Sequence, residues 1–222
     1  MTLTLYYHPF SSFCQKVLVA LYEREVPFEP VMVDLSDPEQ KAALERLWPI
    51  GKFPVLRDET CGVTMPESSL IVEYLDRAHP GPPPLVPTDP DAALEARRWD
   101  RFFDQYVEAP LQKVVGDSFR PEGAKDAHGV TEAKAMLRRA YDVLEGSLAS
   151  GRAWVGGEAF TLAECGAAPA LFYANMVEPF AGRPGLEAYY SRLRARPSFA
   201  RTVDEARPFR PFFPLPWPEA WD

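Results

Sequence analysis

Three short segments bring together residue types that can do chemistry. The first is Tyr7-His8-Pro9-Phe10-Ser11-Ser12-Phe13-Cys14, which separates an alternating apolar stretch from a helical one. Backbone N–H groups and the macrodipole at a helix start favour an anion or thiolate. A hydroxyl donating to that thiolate lowers its pKa from the free value of about 8.5. Ser11 or Ser12 equally suits a plain N-cap, since serine is a preferred capping residue. The second segment is Gly51-Lys52-Phe53-Pro54-Val55. A proline opening a strand donates no ladder hydrogen bond, so it needs an edge position or an unusual peptide geometry. A cis Phe53–Pro54 bond would present the Phe53 backbone to a peptide-like ligand, and an ordinary turn is the plainer alternative. The third is Glu67-Ser68 ahead of Ser69-Leu70-Ile71-Val72-Glu73-Tyr74-Leu75. There Ser68 either caps a helix or holds a ligand carboxylate together with the local N–H groups.

The elements that position these segments follow from periodicity. Leu3, Leu5 and Tyr7 alternate with Thr2, Thr4 and Tyr6, predicting a first strand, and Val17, Leu18, Leu21 and Tyr22 then share one helical face. A second strand is predicted over Phe28–Val33 and a helix over Pro38–Leu47, with Pro38 in its first turn. Short strands near Pro54–Leu56 and Val63–Met65 flank the polar loop Asp58-Glu59-Thr60-Cys61-Gly62. A further helix carries Leu70, Ile71, Tyr74, Leu75 and Ala78 on one stripe. This β-α-β-α-β-β-α order implies a mixed sheet packed by helices. Beyond Asp89 only helical patterns recur, over Ala92–Gly116, Glu132–Ser150, Leu162–Met176 and Leu186–Ala195. Thr161-Leu162-Ala163-Glu164 predicts a capping box at one helix start.

Taken together, Ser-x-x-Cys after the first strand, a proline opening the third and Glu-Ser opening the third helix resemble the soluble glutathione transferases. The likeness is strongest to the serine-type theta, phi and zeta classes and covers essentially the whole chain. It implies an α/β thioredoxin-like N-terminal domain plus an all-α C-terminal domain. Residues 1–79 would form the first, 80–90 a proline-rich linker, and 91–222 the second with its tail. In those classes the activating serine lies five residues before a basic residue followed by Val, which here is Lys16-Val17 and selects Ser11. Ser12 is its neighbour and possible stand-in. Tyr7 stands where tyrosine-type classes keep their hydroxyl, and Cys14 keeps a thiol at the second position of an ancestral Cys-x-x-Cys pair. The resemblance further implies glutathione as co-substrate. Phe53, ahead of Pro54, would pair with its cysteinyl part, Lys52 would approach its glycine carboxylate, and Glu67 and Ser68 would bind the γ-glutamyl end. Trp48 stands where Asn is common, and Glu164 where Asp is usual. The implied reaction is conjugation of glutathione to a small apolar electrophile, in a cytoplasmic homodimer. A glutathione-dependent peroxidase, disulfide reductase or isomerase, and a non-catalytic binding module, are the alternatives on the same fold.

An aromatic and basic helical face nominates an electrophile pocket of Phe10, Arg101, Phe102, Gln105 and Tyr106, although about half of such a face must be core. Other chemistries are excluded. The histidines His8, His79 and His128 form no His-x-x-x-His or Cys/His cluster, so no metal is expected. There is no Gly-x-Ser-x-Gly elbow, phosphate loop or dinucleotide fingerprint. A net charge of −8 without a basic run argues against nucleic acid. No run of about 18 apolar residues predicts a membrane span, and the N-terminus has no signal-peptide pattern. Three widely spaced cysteines fit a reducing compartment. Proline, at 24 of 222 residues, is the compositional outlier against a usual ~5%. It clusters at Pro80–Pro90 and Pro208–Pro218, predicting a stiff linker and a stiff tail. That tail, with Phe209, Phe212, Phe213, Trp217 and Trp221, is expected to pack across the helical domain, a lid over the pocket being the alternative.

Overall fold

The computed structural model describes residues 3–79, 81 and 83–217. Thr2, the linker prolines Pro80 and Pro82, and Pro218 and Trp221 of the tail lie outside these. The strands β1 (Leu3–Tyr7), β2 (Glu29–Met32), β3 (Val55–Asp58) and β4 (Val63–Pro66) form one sheet in the order β2-β1-β3-β4. The β1–β2 pair is parallel, with Leu5 opposite Pro30, while β1–β3 and β3–β4 are antiparallel. Pro30 is tolerated because β2 is an edge strand.

Three helices belong to this sheet. α1 (Ser12–Glu23) buries Val17 through Leu21 completely, and α3 (Ser68–Ala78) presents Ile71, Val72 and Leu75 to the same core. α2 (Pro38–Leu47) covers the other face through Leu44, which meets Val33 and Val55. Asp37 caps α2 and Pro38 occupies its first turn, where a missing N–H costs nothing.

The rest of the chain is helical: α4 (Pro90–Phe102), α5 (Ala109–Ser118), α6 (Ala127–Leu148), α7 (Leu162–Val177), α8 (Pro184–Arg194) and α9 (Pro197–Ala206). Helix α7 is apolar almost all round and is buried on nearly every side, as a helix at the centre of a domain must be. Its start is the expected capping box, with Thr161 N–H and Oγ both donating to Glu164, at 2.9 and 2.8 Å. Val155 N–H also donates to that buried carboxyl, at 3.2 Å.

Two features differ from the periodic expectation. The single helix predicted over Ala92–Gly116 is interrupted by a π turn, Phe103–Glu108, in which Ala109 N–H reaches back to Asp104 C=O. Pro110, which has no N–H to continue the regular ladder, follows at once. The extra residue rotates everything after it relative to α4. Helix α9 was not predicted. Its inward apolar positions Phe199, Val203 and Ala206 are few, and Pro197 at its start makes the segment look like a break. A 3₁₀ turn, Arg207–Phe212, then leads the chain back toward the first domain.

Candidate active site

The N-terminus of α1 opens at the end of β1. Ser11 is its N-cap, its Oγ accepting Cys14 N–H at 3.4 Å. An oxygen used as acceptor still leaves the hydroxyl proton to donate elsewhere, so capping and thiolate binding are compatible in one residue. Ser11 and Ser12 both line a cavity of about 260 Å³. Its walls are otherwise mainly apolar: Phe10, Phe53, Leu111, Val115, Phe119 and the tail residues Phe212, Phe213 and Pro214 contribute. Ser12 is buried, and its Oγ donates to Glu108 at 3.0 Å.

A second, polar cavity of about 500 Å³ adjoins it, and Phe53 lines both. The Phe53–Pro54 bond is cis. Trp48, Lys52, Pro54, Glu67, Ser68 and Arg101 also line this cavity. Glu67 holds φ at +69°, a left-handed conformation rare outside glycine and costly unless the surroundings enforce it. Such strain concentrates at ligand clamps, and here it lies immediately before Ser68, the first residue of α3. The cavity thus combines a helix N-terminus, a backbone segment ahead of strand pairing, and charges of both signs. That donor set fits a zwitterionic tripeptide, and the volume lies within the usual ligand-pocket range of roughly 300–1,000 Å³.

The two other sulfur-site candidates lie elsewhere. Cys14 is fully buried, and burial pushes its thiol up to about 12, with His8 N–H at 3.5 Å as a weak donor to Sγ. It lines neither cavity. The Tyr7 hydroxyl also lines neither cavity. Burial raises its pKa, and Glu205 raises it further, with Arg201 opposing. Of the nominated electrophile pocket, Phe10 lines the apolar cavity and Arg101 the polar one. Phe102, Gln105 and Tyr106 line neither. Phe102 packs against Trp99, Phe103 and Tyr106, and Tyr106 is largely exposed. From this helical stretch the apolar cavity is lined by Leu111, Gln112, Val115 and Phe119, which follow the π turn.

Lys16, used above only as a spacing marker, anchors the two domains to each other. Its fully buried ammonium meets Asp100 at 2.6 Å, Asp104 at 3.1 Å and Ser69 Oγ at 2.9 Å. Burial alone would lower its pKa, but the two aspartates outweigh that and raise it. Ser69, Asp100 and Asp104 also line the polar cavity. A lysine immediately before the apolar run Val17-Leu18-Val19, on a helix whose next turns are buried, was the available sign that acidic partners must exist. The tail, too, does more than cross the helical domain. Phe209 packs edge-on against His8 at 4.8 Å, and Phe213 against Phe10 and Tyr173. Among the described residues, no group of three or more His, Cys, Asp or Glu is placed to hold a metal ion, and no helix is long and apolar enough to cross a membrane.

A four-stranded mixed sheet, a cis-proline ahead of β3 and a helix N-terminus beside it define a thioredoxin-like domain, here joined to an all-helical one. Comparisons with known proteins narrow the class. Family models described as "Glutathione S-transferase, N-terminal domain" and "Glutathione S-transferase, C-terminal domain" match residues 5–83 and 102–197. Among curated proteins, glutathione S-transferase hmp2 of Hypomyces subiculosus is 29% identical, covering 86% of this chain and 94% of its own. A glutathione S-transferase from Methylobacillus flagellatus, solved with glutathione bound, superposes with a TM-score of 0.81 at 30% identity, over 90% of this chain and 98% of that one. One from Methylobacterium radiotolerans, in complex with glutathione sulfonate, gives 0.78 at 30% identity, over 91% and 94%. The chain belongs to the glutathione S-transferase family.

Proposed function

We propose that the protein joins the glutathione thiolate to a small apolar electrophile. The observation that carries this reading is the position of Ser11: it lines the apolar cavity with its oxygen engaged in the cap and its proton available to a sulfur. The thiolate would also sit at the positive end of α1, so the catalysis is pKa lowering plus proximity. In this reading Glu67 and Ser68 hold the γ-glutamyl end, the Phe53 backbone pairs with the cysteinyl part and Lys52 approaches the glycine carboxylate. The glutathione-bound relatives support this use of the polar cavity. The electrophile occupies the apolar cavity next to Phe53. The burial and raised pKa of Cys14 remove support from a redox reading. Three unpaired cysteines support a reducing, cytoplasmic setting. The exposed Leu70 on α3 and Leu94 on α4 offer apolar surface for a homodimer.

Calorimetric titration with glutathione, followed by turnover of 1-chloro-2,4-dinitrobenzene, tests the reading. Saturable binding in the millimolar range or tighter, with glutathione-dependent turnover, is the expected result. No saturable binding at millimolar concentration refutes it.

A further inference from the structure

A line of aromatic rings runs from the polar cavity to the tail. Phe53 lines both cavities, and its ring stacks on His8 with centroids 6.1 Å apart and planes 23° from parallel. Phe209 meets His8 edge-on at 4.8 Å and itself stacks on Phe212 at 6.5 Å. Phe212 lines the apolar cavity while 70% exposed. Each separation lies within the roughly 4.5–7 Å of favourable aromatic pairs. His8 is oriented by its own neighbour, since its Nδ1 accepts Phe10 N–H at 3.2 Å. That bond needs a neutral imidazole, and burial lowers the His8 pKa, with Asp34 opposing.

Both ends of this line have little backbone support. The β3 ladder begins at Val55, so the Phe53 backbone stands outside it. Phe213 N–H donates to Arg210 C=O at 3.0 Å, and past it no backbone hydrogen bond holds the tail among the described residues. Ring contacts take over: Phe213 meets Phe10 and Tyr173, and Trp217 packs on Phe10 and Phe172. The Trp217 indole N–H is buried there without an acceptor, which weakens the seat. A segment held in this way opens locally at low cost. When it lifts, the apolar cavity loses the wall that Phe212, Phe213 and Pro214 supply.

We propose that His8 is a positioning residue that couples glutathione binding to seating of the tail, so that the wall of the electrophile cavity is completed only once glutathione is bound. The inference rests on the transferase reading, in which the cysteinyl part of glutathione pairs with the Phe53 backbone. Fixing that backbone fixes the Phe53 ring, the ring holds His8, and His8 gives Phe209 a settled partner. Phe209 and Phe212 belong to one 3₁₀ turn, so seating one seats the other. The coupling is reciprocal: an electrophile held by the seated tail tightens glutathione by the same factor. His8 itself lines neither cavity and acts through Phe53 and Phe209.

The test is hydrogen–deuterium exchange of the tail amides, read by mass spectrometry with and without saturating glutathione and with no electrophile present. In the unmodified protein glutathione slows their exchange about tenfold, inside the roughly 5–150-fold span usual for coupled sites. His8→Phe keeps a ring and keeps the protection. His8→Asn keeps an acceptor for Phe10 N–H but has no ring. In it glutathione still binds and the tail exchanges at its unliganded rate, while KM for 1-chloro-2,4-dinitrobenzene rises about tenfold with kcat unchanged. Phe209→Ala gives the same loss from the tail side, and it decides the matter should His8→Asn not fold. Protection that survives in folded His8→Asn or Phe209→Ala overturns the coupling, because glutathione then reaches the tail by another route. Loss of protection in folded His8→Phe overturns the ring route, and so does a tail that glutathione leaves unchanged in the unmodified protein. These results leave the transferase reading intact. Absence of glutathione binding and of turnover overturns both.

Discussion

Ser11→Ala separates the two tasks that one hydroxyl performs. The cap bond to Cys14 N–H is long, 3.4 Å, so its loss should cost about 1 kcal/mol of stability. For a chain of 222 residues that lowers Tm by about 2–4 °C. The donor to sulfur is a hydrogen bond to a charged acceptor, worth about 1.5–3 kcal/mol. At about 1.4 kcal/mol per pKa unit, its loss raises the pKa of bound glutathione by about 1–2 units. The sign follows from the donor favouring the thiolate: without it, the thiolate and the conjugation it supports appear at higher pH. The assay is the ultraviolet absorbance of bound thiolate against pH, run beside the pH–rate profile and a thermal melt. Ser11→Asp is the control, because it keeps a capping oxygen but replaces the donor with a charge that repels sulfur. It should melt near the parent temperature and still show a raised thiolate pKa. A melt lowered as expected, with thiolate pKa and rate profile unmoved, would refute the assignment. Ser11 would then be a cap alone, and the sulfur partner would lie elsewhere on the α1 terminus.

Three other expectations follow from burial. Lys16→Met strands Asp100 and Asp104 in the domain interface and should destabilise by about 3–5 kcal/mol in chemical denaturation. The deficit should shrink as pH falls, because burial raises the pKa of Asp100 and its protonation removes the stranded charge, and a loss under about 1 kcal/mol would contradict the anchor role. The thiols should separate by access: Cys61 is exposed and reacts with a maleimide in the folded protein, whereas Cys14 and Cys165 react only on unfolding. Conjugation should survive Cys14→Ala, and its loss would restore a thiol mechanism.

Local chemistry made much of this molecule legible. The alternation of Leu3, Leu5 and Tyr7 identifies β1, Pro38 in the first turn predicts α2 over the residues it occupies, and Thr161-x-x-Glu164 identifies the α7 cap. Each of these rests on contacts within a few residues, and periodicity and capping record such contacts directly. Ser11, Ser12, Phe53, Pro54 and Ser68 could be nominated for the same reason, since each sits at a strand end or helix start. Periodicity did not single out Leu111, Gln112, Val115 and Phe119, which line the apolar cavity from beyond the π turn. The period cannot report an inserted residue whose presence depends on packing around Pro110.

What the sequence determined alone was therefore the set of elements and the residues at their ends. Tertiary structure decided which ends meet and what lies behind them. Ser12 and Glu108 stand 96 positions apart, and Lys16 and Asp104 stand 88 apart. The tail reaches His8 from Phe209. No local preference encodes those distances. They arise because α1 must bury its apolar face against α7, and that packing carries Ser12 and Lys16 to the π turn, where burial makes a carboxyl titrate near neutrality and an ammonium depend on two aspartates.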